Sequence, residues 1–414
     1  MGGRSGATAG GARISALVMG AAVLGGTLAI APLPIAQTGS AFAADDCVPG
    51  LSLPGPPPAL AALGLDDGVQ RPTGAGVTVA IVDSGVDGSR PQLSSALAPG
   101  SVSFVPDDQP GDGLTDLHGH GTAIAGVIAA RASADSGVVG VAPDARLLSF
   151  RVFRGDDDNL RAQGLGPDTA RTAAGIRAGA DAGAQVIVVA LSNDTDEPAL
   201  REATQYAYSN GALVVTSAGN AATAAPGTVV GPVYPAAYPE ALAVTAVNLD
   251  GLPTDDSFHG EHIDVAAPGQ EVLTLATGAS DCVYAQDAPA SSFATAYAAG
   301  AAALLAEAFP EEGPEGWAYR LKATADRPNP DASDTMIGWG RLQPMLALNL
   351  RPDSSTRGPA SPFAQNDAAA VQAAPTRVTA SDPPPDGTPI IVGISAVTLA
   401  LLATLAVLGR LRRR

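Results

Sequence analysis

Three short segments of the 414-residue chain carry side chains that could do covalent chemistry together. The apolar run 77–82 ends in Asp83-Ser84-Gly85-Val86-Asp87, which puts a carboxylate at the carboxyl end of a buried strand, where open α/β sheets build their sites. Asp83 alone reads equally well as a turn or cap residue. His118-Gly119-His120-Gly121-Thr122 opens a small-residue helix, and an imidazole is the group suited to moving a proton near neutral pH. Of the four histidines, His118 reads as a loop residue and His259 and His262 as surface residues. Ala290-Ser291-Ser292-Phe293-Ala294 runs into an Ala- and Leu-rich helix, where a lone serine would be an N-cap. Taken together the segments mean more. An acid, an imidazole and an alcohol, each at an element terminus on one edge of a sheet, are the parts with which a base-activated hydroxyl attacks a carbonyl.

Those termini require a scaffold. Strands are predicted at 77–82, 146–152, 186–191, 213–217, 241–247 and 271–275, and helices at 121–130, 169–182 and 200–209. Each predicted strand is a short apolar run, as expected where both faces are buried, and alternation with helices predicts an α/β fold with a mostly parallel central sheet. This domain spans 71–350. Before it, 44–70 reads as an irregular arm rich in proline (Leu53-Pro54-Gly55-Pro56-Pro57-Pro58), and after it 351–388, with Pro383-Pro384-Pro385, reads as a disordered linker.

With 46% hydrophobic and 15% charged residues the chain is too apolar for disorder. A formal net charge of -18 and a single lysine, Lys322, argue against a nucleic-acid partner. Arg4 and Arg13, the apolar run 14–33 and Ala41-Phe42-Ala43 predict a signal peptide over 1–43, with an uncleaved anchor as the alternative. The uncharged stretch 390–408, followed by Arg410, Arg412, Arg413 and Arg414, predicts a transmembrane helix over 389–409 and a basic cytoplasmic tail at 410–414. The expected arrangement is a single pass in the cell membrane with the folded domain extracytoplasmic. In that compartment Cys47 and Cys282 either form a disulfide or stay as buried thiols.

At these motifs the chain resembles the subtilisin-like serine peptidases. Asp83-Ser84-Gly85 is similar to that family's Asp-[Ser/Thr]-Gly, His120-Gly121-Thr122 to its His-Gly-Thr, and Ser291-Ser292-Phe293-Ala294 to its Thr-Ser-[Met/Phe]-Ala. The resemblance covers about 71–350 and implies a three-layer subtilisin-like fold with Asp83, His120 and Ser292 as the catalytic triad of an endopeptidase. It also implies an oxyanion role for Asn220, in Val214-Val215-Thr216-Ser217-Ala218-Gly219-Asn220, and pairing of Leu191-Ser192-Asn193 with an extended substrate. No cofactor or metal is implied. Ala290 and Ser291 replace the family's Gly-Thr, Ala296 a common Pro, and Asn193-Asp194 a frequent Gly pair. The methyl of Ala290 is the departure expected to disturb the oxyanion geometry. The whole layout is similar to the mycosins, membrane-anchored proteases of type VII secretion systems. That likeness implies protein or peptide substrates and a type VII secretion membrane complex as partners. The alternative it leaves is a weakly active or inactive scaffold component of that complex.

Overall fold

The computed structural model describes residues 47–363 except 49, 66–69, 222–230, 279 and 354. The expected signal peptide, membrane span and basic tail lie outside the described residues, as does most of the linker. Among the described residues no single helix is long and apolar enough to cross a membrane. The chain divides into two compact units, one comprising Met1–Arg351 with Arg357–Ala360, the other Pro352–Thr356 with Ser361–Arg414. The first holds every element below.

Its strands are β1 (Thr78–Asp83), β2 (Val102–Ser103), β3 (Arg146–Arg151), β4 (Val186–Val189), β5 (Leu213–Ser217), β6 (Ala241–Val247), β7 (Val265–Pro268), β8 (Val272–Ala276) and β9 (Ser280–Tyr284). The helices are α1 (Pro58–Ala62), α2 (Pro91–Ser94), α3 (His120–Ala129), α4 (Asp158–Ala162), α5 (Thr169–Asp181), α6 (Pro198–Ser209), α7 (Ser291–Ala308), α8 (Gly313–Ala323) and α9 (Pro344–Asn349). Seven strands form a parallel sheet in the order β2-β3-β1-β4-β5-β6-β7. The chain places β3 on one side of β1 and β4 on the other, so the winding reverses at β1, the place where such sheets leave a crevice at their carboxyl edge.

Alternation along the strands builds two separate cores. Val79, Ile81, Val186, Val188 and Val215 face α3 and α7, whereas Ala80, Val82, Ile187, Val189 and Val214 face α5 and α6. The three layers follow from that division. α7 lies against β4 to β7, and residues 291–306 of it are all buried, so its Ala- and Gly-rich sequence is what allows so close an approach.

Five of the six predicted strands take consecutive places in the sheet. The sixth does not: 271–275 becomes β8, which pairs antiparallel with β9 in a separate hairpin. Glu271 adopts φ 48, a reversal that carries the chain off the sheet after β7. The sheet edge is filled instead by β7, whose Val-Ala-Ala-Pro composition gives little strand signal.

Cys47 and Cys282 are joined as a disulfide, with Cα atoms 5.1 Å apart. The bond fastens the arm to β9, and Gly50 N–H donates to Ser280 Oγ (2.6 Å) and Leu53 N–H to Asp281 Oδ2 (2.9 Å) beside it. Leu60, Leu63 and Leu65 carry the arm into the α3–α7 core. Because the linked cysteines are 235 residues apart, the chain-entropy model assigns the bond up to about 5 kcal/mol. Replacing both by serine is expected to lower the thermal midpoint to a value that dithiothreitol no longer changes. A variant as stable as oxidised wild type would contradict this.

Candidate active site

β1 delivers Asp83 to the carboxyl edge of the sheet with 1% exposure, and α3 begins at His120 with 3%. The two meet through His120 Nδ1 and Asp83 Oδ1 at 2.8 Å, while Ser84 N–H donates to the same oxygen (2.7 Å). A carboxylate only accepts, so Nδ1 carries the ring proton and Nε2 is the basic nitrogen.

Close approach of β1 and α3 depends on two glycines. A side chain on Gly121 would run into the carbonyl oxygen of Gly85, and that space lets Gly121 N–H donate to Ser84 Oγ (2.9 Å). Gly119, at φ 93, supplies the left-handed turn that starts the helix.

Asp116 was not apparent as a site residue, yet it organises this turn. One of its oxygens accepts the N–H groups of His118 (3.1 Å) and Gly119 (2.7 Å), and the other accepts Thr122 N–H (2.9 Å) and its hydroxyl (2.6 Å). A buried carboxylate thus satisfies helix-start donors that have no intrahelical partner. Its position four residues before the histidine was the available signal.

Arg151 was also missed. It lies opposite Asp83 in the β1–β3 register with no exposure, donates from Nε to Ser84 O (3.2 Å), and grips Asp107 with both Nη atoms (3.0 and 2.7 Å). Burial works against charge on Asp107, but the hydrogen bonds and charge of Arg151 outweigh it and hold the carboxyl below the usual range.

Asn220 follows β5, and Gly219 before it, at φ 99, leaves space that the Phe258 ring occupies. Ser291 N–H donates to Asn220 Oδ1 (2.7 Å), and Ser217 Oγ lies 2.6 Å from Ser291 Oγ. His259 and His262, expected at the surface, are half-buried. Their Nε2 atoms lie 3.1 Å from the carbonyl oxygens of Thr254 and Ala218, so His262 steadies the strand end that precedes Asn220.

Ser292 is the second residue of α7 and has no exposed surface. Its Oγ makes no hydrogen bond among the described residues, and the ring of its neighbour Phe293 lies 5.9 Å from that of His120. Ala290, expected to disturb the oxyanion geometry, adopts φ -119 and ψ 124, extended torsions that any L-residue accepts. Its methyl imposes no backbone strain.

The segment 191–193, expected to pair with substrate, follows β4, which lies between β1 and β5, so it shares their edge of the sheet. Leu191 is half-buried and Ser192 exposed. Asn193 exchanges both backbone hydrogen bonds with Tyr234 (2.8 and 2.7 Å), and its side chain reaches Thr169 Oγ1 (3.0 Å). No cluster of His, Cys, Asp and Glu suited to a metal occurs among the described residues.

With this geometry, a model of the subtilase family matches residues 74–340. The chain belongs to the subtilase family. Membership carries the class of chemistry, that of a serine endopeptidase. Mycosin-1 of Mycobacterium tuberculosis is 34% identical over 410 residues, covering 88% of this chain and 86% of that protein. The crystal structure of MycP1 from Mycobacterium smegmatis superposes with a TM-score of 0.61 at 29% identity, covering 76% of this subtilase and 92% of that chain. A chain of an intact ESX-5 inner membrane complex superposes with a TM-score of 0.60 at 29% identity, covering 88% and 93%.

The acidic run 156–158 holds structure beside the site, with Asp156 half-buried and Asp157 and Asp158 exposed. Asp157 caps α4 by accepting from the N–H groups of Asn159 and Leu160, each at 3.0 Å. Asp156 pairs with His118 Nε2 at 3.2 Å, and the His118 ring packs edge-on against Phe153. Burial favours neutral His118, yet the hydrogen bond and charge of Asp156, with Asp116 and Asp83 behind it, prevail and raise its pKa above 6.5. A raised native value means that the pair stabilises the fold fully below the unfolded pKa and loses that contribution as pH rises through the native one.

Two outcomes follow. The stability advantage of the subtilase over its Asp156→Asn variant should shrink as pH rises from about 6 to 8, and an advantage independent of pH would contradict it. Asp116→Asn turns one end of the carboxylate into a donor facing donors. It should cost about 1–3 kcal/mol of unfolding free energy and lower kcat more than it changes KM.

Proposed function

We propose that Asp83, His120 and Ser292 are the catalytic triad of this endopeptidase, which would process exported proteins while anchored outside the cytoplasmic membrane by segment 389–409. The observation that carries the reading is the buried 2.8 Å contact of His120 Nδ1 with Asp83, on the sheet edge shared with Asn220. A buried serine hydroxyl with no hydrogen-bond partner among the described residues supports it too, since leaving such a group unsatisfied is costly and function accounts for it.

The chemistry then runs through these groups. His120 Nε2 takes the proton from Ser292 Oγ as that oxygen bonds to the carbon of a peptide carbonyl, whose electron pair moves onto oxygen. Asp83, accepting from Nδ1–H, supports the imidazolium. The Asn220 amide and the Ser292 N–H hold the oxyanion, the latter being one of the unsatisfied donors at the start of α7. His120 passes its proton to the departing amine as the C–N bond breaks, and water repeats the sequence on the acyl-enzyme. Leu191 and Ser192 would pair with the extended substrate, while Asn193 already spends its backbone groups on Tyr234.

A role in type VII secretion is supported by the similarity to the mycosin relatives and to a chain of the ESX-5 membrane complex. The absence of exposed surface on Ser292 favours a second reading, a weakly active scaffold within such a complex. A fluorophosphonate probe separates the two on the full chain in detergent. The enzyme reading expects labelling that Ser292→Ala abolishes, and turnover reduced about 10²–10³-fold by Asn220→Ala. Well-folded wild type that takes no label leaves the scaffold.

A further inference from the structure

Resting on the oxyanion role proposed for Asn220, we infer that Ser217 and Ser291 form a hydroxyl latch that fixes the orientation of the Asn220 amide. This makes both serines positioning residues for the reaction.

The four residues close a ring of hydrogen bonds between the end of β5 and the start of α7. Ser217 Oγ accepts Gly219 N–H (3.2 Å) and lies 2.6 Å from Ser291 Oγ, and Ser291 N–H donates to Asn220 Oδ1 (2.7 Å). Chain continuity from Gly219 to Asn220 completes it. Ser217, Asn220 and Ser291 are 2%, 4% and 0% exposed, so water does not replace a lost partner in this ring.

Two consequences follow from donor and acceptor chemistry alone. A backbone N–H can only donate, so the Asn220 atom facing Ser291 is its oxygen, and the amide N–H groups face the other way. The Ser291 hydroxyl is committed to Ser217 and makes no cap for its own helix. Ser291 therefore serves the site through its backbone N–H, and its hydroxyl keeps that N–H in place. Thr295 Oγ1 pins the other backbone polar group of the same residue by donating to Ser291 O (2.7 Å).

An oxyanion donor acts mainly in the transition state, so loosening it should lower kcat and spare KM. On the full chain, Ser217→Ala is expected to reduce kcat about tenfold, part of the about 10²–10³-fold lost with the donor itself, with KM within about twofold. Ser291→Thr should recover most of the rate that Ser291→Ala loses. Ser217→Ala combined with Asn220→Ala should be no slower than Asn220→Ala, because the latch acts only through that amide. Hydrogen exchange supplies a readout independent of turnover: amides 291–295 should exchange faster in Ser217→Ala at an unchanged thermal midpoint. Unchanged exchange in folded Ser217→Ala, or losses that multiply in the double variant, would overturn the latch. Wild type no more active than Ser292→Ala would instead defeat the proposed function, with the exchange measurement still deciding the latch.

Discussion

A carboxylate buried at the end of β1 is the constraint around which the rest is arranged. At 1% exposure, Asp83 has given up most of its hydration, which is tolerable only if donors replace the water. Ser84 N–H and His120 Nδ1 do so, and reaching the second forces the start of α3 onto the end of β1. From that contact follow the bare Cα of Gly121, the left-handed Gly119 and the Asp116 carboxylate beneath the turn. Arg151 then steadies the Ser84 peptide from the neighbouring strand. The hydrogen bond is a single interaction, but its geometry is set by two elements and a loop that have little freedom to move.

The sheet separates stability from chemistry. Alternate strand residues feed the two cores, and the proposed catalytic groups stand where the strands stop. β1 and β5 each hand a side chain to the same edge, and α7 begins there. Side chains at such ends are held by a rigid scaffold, as functional groups at element ends and on supported loops generally are.

Much of this was legible in the amino-acid sequence, for physical reasons. Short apolar runs at 77–82, 146–152, 186–191, 213–217 and 241–247, alternating with helix-like stretches, fit strands of a sheet buried on both faces, and all five are found there. Asp83, His120 and Ser292 stood out because polar groups interrupt apolar or small-residue stretches at element ends. What escaped notice depends on contacts between distant segments. Val265-Ala266-Ala267-Pro268 becomes a strand because an edge is open beside β6, not through its own preference. The turn at Glu271 removes β8 from the sheet by one backbone angle that composition does not announce. Asp116, Arg151 and Ser217 look like ordinary loop or strand residues until the groups they serve, far along the chain, are folded against them. His262, expected at the surface, is half-buried against Ala218 O, because polarity marks exposure only on average.

The placement of α7 has a further consequence for synthesis. One face of β4 to β7 is packed against this late helix, which also begins with the two adjacent serines. A nascent polypeptide that has not yet emerged past residue 308 therefore has an uncovered apolar layer and an unfinished crevice, whatever acid and imidazole it already contains. The same helix that closes the core also completes the crevice, so the proposed catalytic groups come together only once α7 has packed.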